Sequence, residues 1–155
     1  MGIRLAPAEA WDVIAASHTG ILTTLRRDGT PVTLPVWFVV DQHTIAMMTP
    51  SGTKKVSRIR RDPRASFLVE SGQRWEELRA VHLTGCVELV DDSDAIARIG
   101  SAFNAKYTGF RPASAALPTR TQNYYANQTF LRFTPDDRML TWDNARIPLR
   151  KRDEG

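Results

Sequence analysis

The sequence predicts one α+β domain over residues 1–155, mainly β, with about six to seven mostly antiparallel strands and three short helices. The chain has 155 residues, of which 42% are hydrophobic, and one cysteine, so it fits a single globular domain that needs no disulfide. Runs of alternating apolar and polar residues follow one another with short turns between them, which favours antiparallel neighbours. Apolar residues recur at helical spacing in only three segments.

The first part of the chain predicts a helix followed by three strands. Pro7 precedes apolar residues at helical spacing, so a short helix is expected over 7–17. Gly29 supplies the conformational freedom of a tight hairpin turn, and a second turn is expected at 41–43. The strands are expected at 20–26, 31–41 and 44–49. Because both connections are short, the three strands are predicted to form an antiparallel meander.

The second part of the chain predicts two more helices and the remaining strands. Ser51 or Thr53 can cap a helix that runs to about Arg61. A third helix is expected over 93–107, followed by a long loop over 108–123. The strands are expected at 65–70, 80–90, 129–134 and 139–142. In the segment 80–90 every second residue is apolar, which predicts that one face of this strand belongs to the core.

Basic residues are concentrated in two segments of a chain whose net charge is +4. The first group is Lys54, Lys55, Arg58, Arg60, Arg61 and Arg64, and the second is Arg146, Arg150, Lys151 and Arg152. Such concentration favours an anionic partner, which leaves nucleic acid, a phosphorylated cofactor and an acidic small molecule open, with a solvated basic face as the alternative. Nucleic acid is the least favoured of these, because the aromatic residues lie away from the basic helix.

The segment from Thr49 to Lys55 has the composition of a phosphate-binding turn. The hydroxyl groups of Ser51 and Thr53, and a glycine between them, precede a helix whose first turn carries Lys54 and Lys55. Free backbone N–H groups at a helix start, hydroxyl groups and ammonium groups together suit one phosphate. The sequence lacks the upstream glycine and the spacing of a Walker loop, so nucleoside triphosphate hydrolysis is not predicted.

Several motifs, in the same order along the chain, resemble a known family. They are Gly20-Ile21-Leu22-Thr23-Thr24, Arg27-Asp28-Gly29-Thr30-Pro31, Pro35-Val36-Trp37-Phe38-Val39, Thr49, Gly52-Thr53-Lys54-Lys55 and Ile59-Arg60-Arg61-Asp62-Pro63-Arg64-Ala65-Ser66. The sequence is similar to the pyridoxamine 5'-phosphate oxidase-like split-barrel proteins, and most closely to their flavin and deazaflavin oxidoreductase branch in actinobacteria. The resemblance implies an FMN-binding type of split β-barrel and a homodimer with two cofactor sites at its interface.

The resemblance also implies which residues bind the cofactor. The phosphate would be held by Thr53, Lys54 and Lys55, with Arg58 or Arg61. The ring system would be lined by Pro35, Val36, Trp37 and Thr49, and the opposite subunit would contribute from around Trp75 and Trp142. The residues that bind pyridoxal phosphate in the vitamin B6 oxidases have no convincing copy in this sequence, so vitamin B6 oxidation itself is not implied.

Few side chains of the sequence suggest acid–base or metal chemistry. Hydride transfer by a flavin-type cofactor needs no protein nucleophile, so no catalytic side chain is predicted. The histidines His18, His43 and His82 lack the spacing of metal ligands, so no metal site is predicted. Tyr124 and Tyr125 could donate a proton to a substrate, although packing within the long loop is the favoured interpretation.

Two cofactors fit the resemblance. FMN carries one phosphate, whereas coenzyme F420, a deazaflavin, adds a tail with several carboxylates, and the arginines around 58–64 and at the C-terminus suit the longer anion. The predicted function is therefore F420-dependent hydride transfer between the cofactor and a small organic acceptor. The alternatives are an FMN-dependent oxidoreductase and a non-catalytic flavin or deazaflavin carrier.

The remaining expectations concern location and assembly. No apolar run approaches the ~20 residues that cross a bilayer, so a cytoplasmic protein without membrane association is predicted. The homodimer is expected to use the alternate face of the strand at 80–90, which carries His82, Thr84 and Cys86.

Overall fold

The computed structural model describes residues 3–150. Their helices and strands are α1 (Pro7–Ala16), β1 (Thr19–Leu25), β2 (Pro31–Trp37), β3 (Val39–Asp41), β4 (Thr44–Pro50), α2 (Lys54–Arg61), β5 (Arg64–Ser71), β6 (Arg79–Val90), α3 (Ser93–Tyr107), α4 (Thr119–Ala126) and β7 (Gln128–Asp143). The predicted α+β fold, mainly β, is confirmed. Lys151 and Arg152 of the second basic group lie outside the described residues. Among the helices of residues 3–150, none is both long and apolar enough to cross a membrane.

The strands form one antiparallel sheet in the order β2-β1-β5-β6-β7-β4-β3. The two edge strands, β2 and β3, follow each other in the chain with only Phe38 between them. Since one residue cannot bridge the width of an open sheet, the sheet has to curl until its edges meet. Accordingly, β2 contacts β4 although the two are not hydrogen-bonded neighbours. The result is the split barrel that the resemblance implies.

The single strand predicted over 31–41 is wrong, because the structure divides it into two. β2 pairs with β1, whereas β3 pairs with β4. At Phe38, between them, the backbone N–H donates to the hydroxyl of Tyr107 and the carbonyl accepts from Lys106 Nζ. Side chains of α3 therefore replace the ladder at this point. The predicted meander is wrong for the same reason, since its two hairpins lie at opposite ends of the sheet order.

The two strands predicted at 129–134 and 139–142 are one continuous strand, β7, with a bulge. The register with β6 shifts next to Gly85, because β7 carries extra residues there. Within the bulge, the carboxylate of Asp136 accepts a hydrogen bond of 2.8 Å from the hydroxyl of Thr84. Residues that suit a turn thus form an irregularity inside a strand.

The long loop predicted over 108–123 contains regular structure. Short 3₁₀ turns occupy Thr108–Phe110 and Ser114–Ala116, and α4 begins at Thr119. Residues 3–150 therefore contain four α-helices, not three. None of the residues of α4 is buried, so the helix has no apolar face that a periodicity could reveal.

Two clusters of buried side chains hold the fold together. The first fills the barrel, where Phe38, Phe67 and Phe133 pack with Ile14 of α1 and Ile59 of α2. The second joins α3 to the side of the barrel formed by β3, β4 and β7. Of the four apolar residues in the alternation predicted for β6, Val81, Leu83 and Val87 are buried and Leu89 is half-buried against the core, so the prediction that one face of this strand belongs to the core is confirmed.

Five strands of the sheet present a row of accessible side chains on its outward face. Register places one residue of each of the strands β2, β1, β5, β6 and β7 side by side, namely Pro35, Ile21, Leu68, His82 and Leu140. None of the five is buried, and Leu140 is 55% exposed. We call this row the outer stripe. It is a mostly apolar band that crosses the sheet on its outside.

Candidate cofactor site

The start of α2 is shaped by the turn that precedes it. Gly52 has a φ of +79°, a conformation that side-chain-bearing residues rarely adopt. The backbone N–H of Ser51 donates to the carbonyl of Asn127 at 2.9 Å, and the Ser51 hydroxyl lies 2.8 Å from that of Thr129. The turn is thereby fixed to β7 and to the end of α4, and it delivers the chain into α2 at a defined angle.

Thr53 occupies the N-cap position of α2 without capping it. Its side chain makes no hydrogen bond to the helix, and its Oγ1 is buried without any hydrogen-bond partner in the described part of the chain. The first backbone N–H groups of an α-helix also lack partners within the helix. A buried hydroxyl without a partner is costly, and native proteins rarely retain one unless something else satisfies it. The start of α2 therefore carries hydrogen-bond donors that have no acceptor in the described part of the chain.

Two cations of α2, Lys55 in its first turn and Arg58 in its last, have no acidic partner among the described residues. Lys55 and Arg58 are half-buried, and neither forms an ion pair with any carboxylate of residues 3–150. Burial, and then the charge of Arg58, lowers the pKa of Lys55. Burial lowers the pKa of Arg58 too, followed by the charges of Arg26 and Arg61. The positive charges therefore disfavour one another, and a bound anion would relieve that repulsion.

Two of these arginines are anchored to β1. Arg58 Nε donates to the Thr24 hydroxyl at 2.9 Å, and Arg61 Nη2 donates to the Leu25 carbonyl at 2.9 Å. Each guanidinium retains further N–H donors, because a guanidinium has five. We call the group formed by Ser51, Thr53 and Lys55 at the start of α2, together with Arg58 in the last turn of this short helix, the anion cradle. Its unsatisfied hydroxyl, free helix N–H groups and uncompensated cations fit a phosphate. Lys54, beside it, is exposed.

The residues predicted to line the ring differ in their accessibility. Pro35 is exposed and Trp37 is half-buried, and both belong to the outward face of β2. Val36 points inward and packs in the barrel core, where it is 8% exposed, so its side chain is a core residue. Thr49 is buried near the end of β4, directly before the anion cradle. Trp37 also has a partner that the sequence did not indicate, since its ring stacks on that of Tyr107 at 4.4 Å.

Trp75 and Trp142 lie near one end of β7, whereas the anion cradle lies beside the other end. The side-chain amide of Asn144 donates to the Trp75 carbonyl at 2.7 Å, and Trp142 is the partner of Ala80 on β6. Thr49 pairs with Thr129 near the opposite end of β7, so most of the length of this strand separates the two regions. One chain therefore does not join these tryptophans to the cradle, and their role stays a prediction that needs a second copy.

The favoured interpretation of Tyr124 and Tyr125 is wrong. Both lie on α4 and not in a loop, and their side chains are 56% and 52% exposed, so neither is a packing residue. Sequence reasoning also missed Arg26 and Tyr107. Arg26 follows β1, and the repulsion between its charge and Arg58 depends on how α2 packs on that strand. Only the β2–β1–α2 arrangement could have revealed it.

The fold and the cradle together define the class of protein. A split barrel with a phosphate-fitting helix start is the arrangement that the sequence resemblance implied, and the resemblance is confirmed. The chain belongs to the pyridoxamine 5'-phosphate oxidase family, whose sequence pattern matches residues 6–138. No protein of curated function matches the chain in sequence.

Several solved structures share the fold. A conserved hypothetical protein from Mycobacterium tuberculosis is 29% identical, with a TM-score of 0.78 over 96% of this chain and 92% of that one. An FAD-binding protein from Mycobacterium smegmatis is 23% identical, with a TM-score of 0.63 over 89% and 93% of the two chains. A protein described as an F420 reductase is 20% identical, with a TM-score of 0.65 over 87% and 98%. The last two likenesses show the fold alone.

Proposed function

We propose that this protein is an oxidoreductase that binds coenzyme F420 and passes a hydride between it and a small organic acceptor. The observation that carries the proposal is the anion cradle, in which a buried hydroxyl and the first helix N–H groups lack an acceptor and the cations lack a carboxylate partner among the described residues. Membership of the family supports a flavin-type cofactor. The structural likeness to proteins described as FAD-binding and as an F420 reductase agrees with it.

Each part of the site has a distinct task. The cofactor supplies the hydride chemistry when bound, so the protein's contribution is binding, orientation and exclusion of water. Thr53 and the first N–H groups of α2 would donate to the phosphate, while Lys55 and Arg58 would neutralise it. Pro35 and Trp37, on the outward face of β2, would contact the ring system.

The charges around the cradle bear on the choice between F420 and FMN. Lys54 and Arg60 are exposed and have no carboxylate partner among the described residues, so they are free to attract a polyanionic tail. Arg64 and Arg146, in contrast, are paired within the chain, with Asp62 at 2.9 Å and with Glu9 at 2.7 Å. The tail would therefore depend on fewer cations than the sequence suggested. FMN remains the alternative cofactor.

A homodimer is part of the proposal. The outer stripe is a mostly apolar band that leaves Leu140 more than half exposed, and contiguous exposed apolar side chains favour association. His82 lies in the stripe between Leu68 and Leu140, on the strand face that the sequence singled out. A second copy would also be needed to bring Trp75 and Trp142 to the cradle. The cytoplasmic location remains a prediction as well.

The test is a titration of the purified protein with F420 and with FMN. We expect F420 to bind about tenfold more tightly, because several exposed contacts to the tail contribute ~0.5 kcal/mol each. The preference should shrink as salt rises, since exposed charge pairs are screened over about 10 Å at 0.1 M. Tighter binding of FMN, with no effect of tail length, would favour the FMN-dependent alternative. Tight binding without oxidation of the reduced cofactor by any enone or quinone would indicate a carrier.

A further inference from the structure

The junction between β2 and β3 is held by side chains of α3. Phe38, the residue between the strands, is fully buried, and its backbone N–H donates to Tyr107 Oη at 2.9 Å. Its carbonyl accepts from Lys106 Nζ at 2.9 Å, and the same Nζ lies 3.9 Å from the centroid of the Phe38 ring. Two consecutive residues of one helix thus satisfy both backbone groups and place a cation over the ring.

The hydroxyl of Tyr107 also reaches a second strand. Tyr107 Oη lies 2.7 Å from the carbonyl of His18, directly before β1, and 2.8 Å from that of Phe38. A hydroxyl has one proton to donate. Because Lys106 already donates to the Phe38 carbonyl, donation to His18 leaves every group satisfied. Burial raises the pKa of Tyr107, so the hydroxyl keeps this proton at neutral pH. Tyr107 therefore ties the start of β1 to the end of β2.

The same tyrosine fixes the ring of Trp37. The two rings are stacked, with centroids 4.4 Å apart and planes 5° apart. The His18 ring meets the Trp37 ring edge-on at 5.6 Å. Trp37 is the last residue of β2, so no ladder neighbour beyond it restrains its side chain. Its orientation consequently depends on Tyr107 together with the His18 ring and the second apolar cluster, and the residue as a whole stays half-buried.

We propose that Tyr107 and Lys106 are positioning residues that hold the Trp37 wall of the cofactor site. The inference rests on the proposed function, in which Trp37 contacts the ring system of the cofactor. Tyr107 is buried and acts through Trp37, and Lys106 acts through the backbone of Phe38. The strand break is then a functional feature, because it allows α3 to set the angle of a ring that the sheet alone would leave free.

The test compares Tyr107→Phe with the matched control Tyr124→Phe, which removes the same hydroxyl from an exposed tyrosine. Tyr107→Phe keeps the stacked ring but removes the bonds to Phe38 and His18. We expect F420 to bind about tenfold more weakly to Tyr107→Phe, because a Trp37 ring that is no longer held should adopt the binding orientation only about a tenth of the time. Binding of inorganic phosphate should stay within twofold of the wild type, because the anion cradle is untouched. Tyr124→Phe should change neither.

Two structural measurements accompany the titrations: hydrogen exchange at the amide of Phe38 and the indole resonance of Trp37. In Tyr107→Phe we expect faster exchange and a shifted indole signal. Unchanged F420 affinity in spite of faster exchange would overturn the inference, and so would an equal loss of F420 and phosphate binding. If the wild type bound neither F420 nor FMN, the proposed function would fail. In that case the indole resonance of Trp37 would decide the inference by itself. An unshifted resonance in Tyr107→Phe would contradict the positioning role. Lys106→Met provides the same comparison if Tyr107→Phe does not fold.

Discussion

Replacing Lys55 by Met has two opposite expected effects, since it should stabilise the free protein and weaken the binding of an anion in the cradle. The ammonium group of Lys55 is half-buried beside Arg58, without an ion-pair partner among residues 3–150, and its pKa is lowered by that burial and that charge. Without ligand, Lys55→Met should therefore raise the melting temperature, because it removes a desolvated charge and keeps the aliphatic packing. With ligand the variant should be the weaker binder. Lys54→Met, at the exposed neighbouring position, is the matched control when inorganic phosphate or FMN is the ligand, because these lack the carboxylate tail that Lys54 is proposed to attract.

The size of the effect follows from the contact that is lost. One charge-assisted hydrogen bond to phosphate contributes about 1.5–3 kcal/mol, or ten- to hundredfold in affinity. At a ligand concentration of 100 times the wild-type Kd, binding stabilises the wild type by about 2.7 kcal/mol, but a tenfold weaker variant by about 1.4 kcal/mol. For a chain of this size the ligand-induced rise in Tm should then be about 3 to 5 °C smaller. Thermal unfolding without ligand measures the expected rise in Tm, and thermal unfolding with F420 or FMN measures the smaller ligand-induced rise. An unchanged Kd for inorganic phosphate or FMN in Lys55→Met would refute the placement of the phosphate, whatever the effect of Lys54→Met.

Three further predictions concern assembly, packing and pH. Leu140→Glu should make the protein monomeric at micromolar concentration in sedimentation, because it puts a charge in the outer stripe. Ala97→Glu, on the exposed side of α3, should stay dimeric. A monomeric wild type would contradict the proposed homodimer. Gly85→Ala should lower the free energy of unfolding by about 1–3 kcal/mol, since its Cβ would lie 2.1 Å from the Thr134 carbonyl oxygen. Gly100→Ala in α3, where the space is open, should raise the free energy of unfolding by about 0.5–1 kcal/mol. Equal effects of the two substitutions in denaturant titrations would contradict the packing argument. Burial lowers the pKa of Lys106 to about 8 from 10.5, so between these pH values the unfolded chain keeps a proton that the folded chain has released. The free energy of unfolding, compared with that of Lys106→Met, should therefore rise with pH over this window. Parallel curves of unfolding free energy against pH for the two proteins would show that Lys106 does not titrate in this way.

Local patterns predicted the elements whose hydrogen bonds and packing are themselves local. The helix at 7–17, the hairpin turn around Gly29 and the third helix to Tyr107 are all found within a residue or two of their expected bounds. Alternation along β6 also predicted its buried face. These features depend on neighbouring residues in the chain, so a sequence window contains their causes.

The anion cradle was predictable in composition but not in electrostatics. Thr53, Lys54 and Lys55 stand next to one another in the sequence, and a helix start after a glycine turn already indicates a place for phosphate. The sequence could not show that the Thr53 hydroxyl is buried without a partner. It also treated Arg64 and Arg146 as free cations, although each is paired with a carboxylate that the fold brings close.

By itself, the sequence determined the class of fold, the family and the residues at the start of α2, because propensity, turn chemistry and motif order are written in adjacent positions. Only the tertiary structure decided where the strand after Pro31 breaks, since that break depends on the side chains of Tyr107 and Lys106, almost 70 residues away in the chain. It also decided that β7 is one strand, through its pairing with β6 across Gly85. Closing a barrel sets such contacts between distant segments, and no local window of the chain contains them.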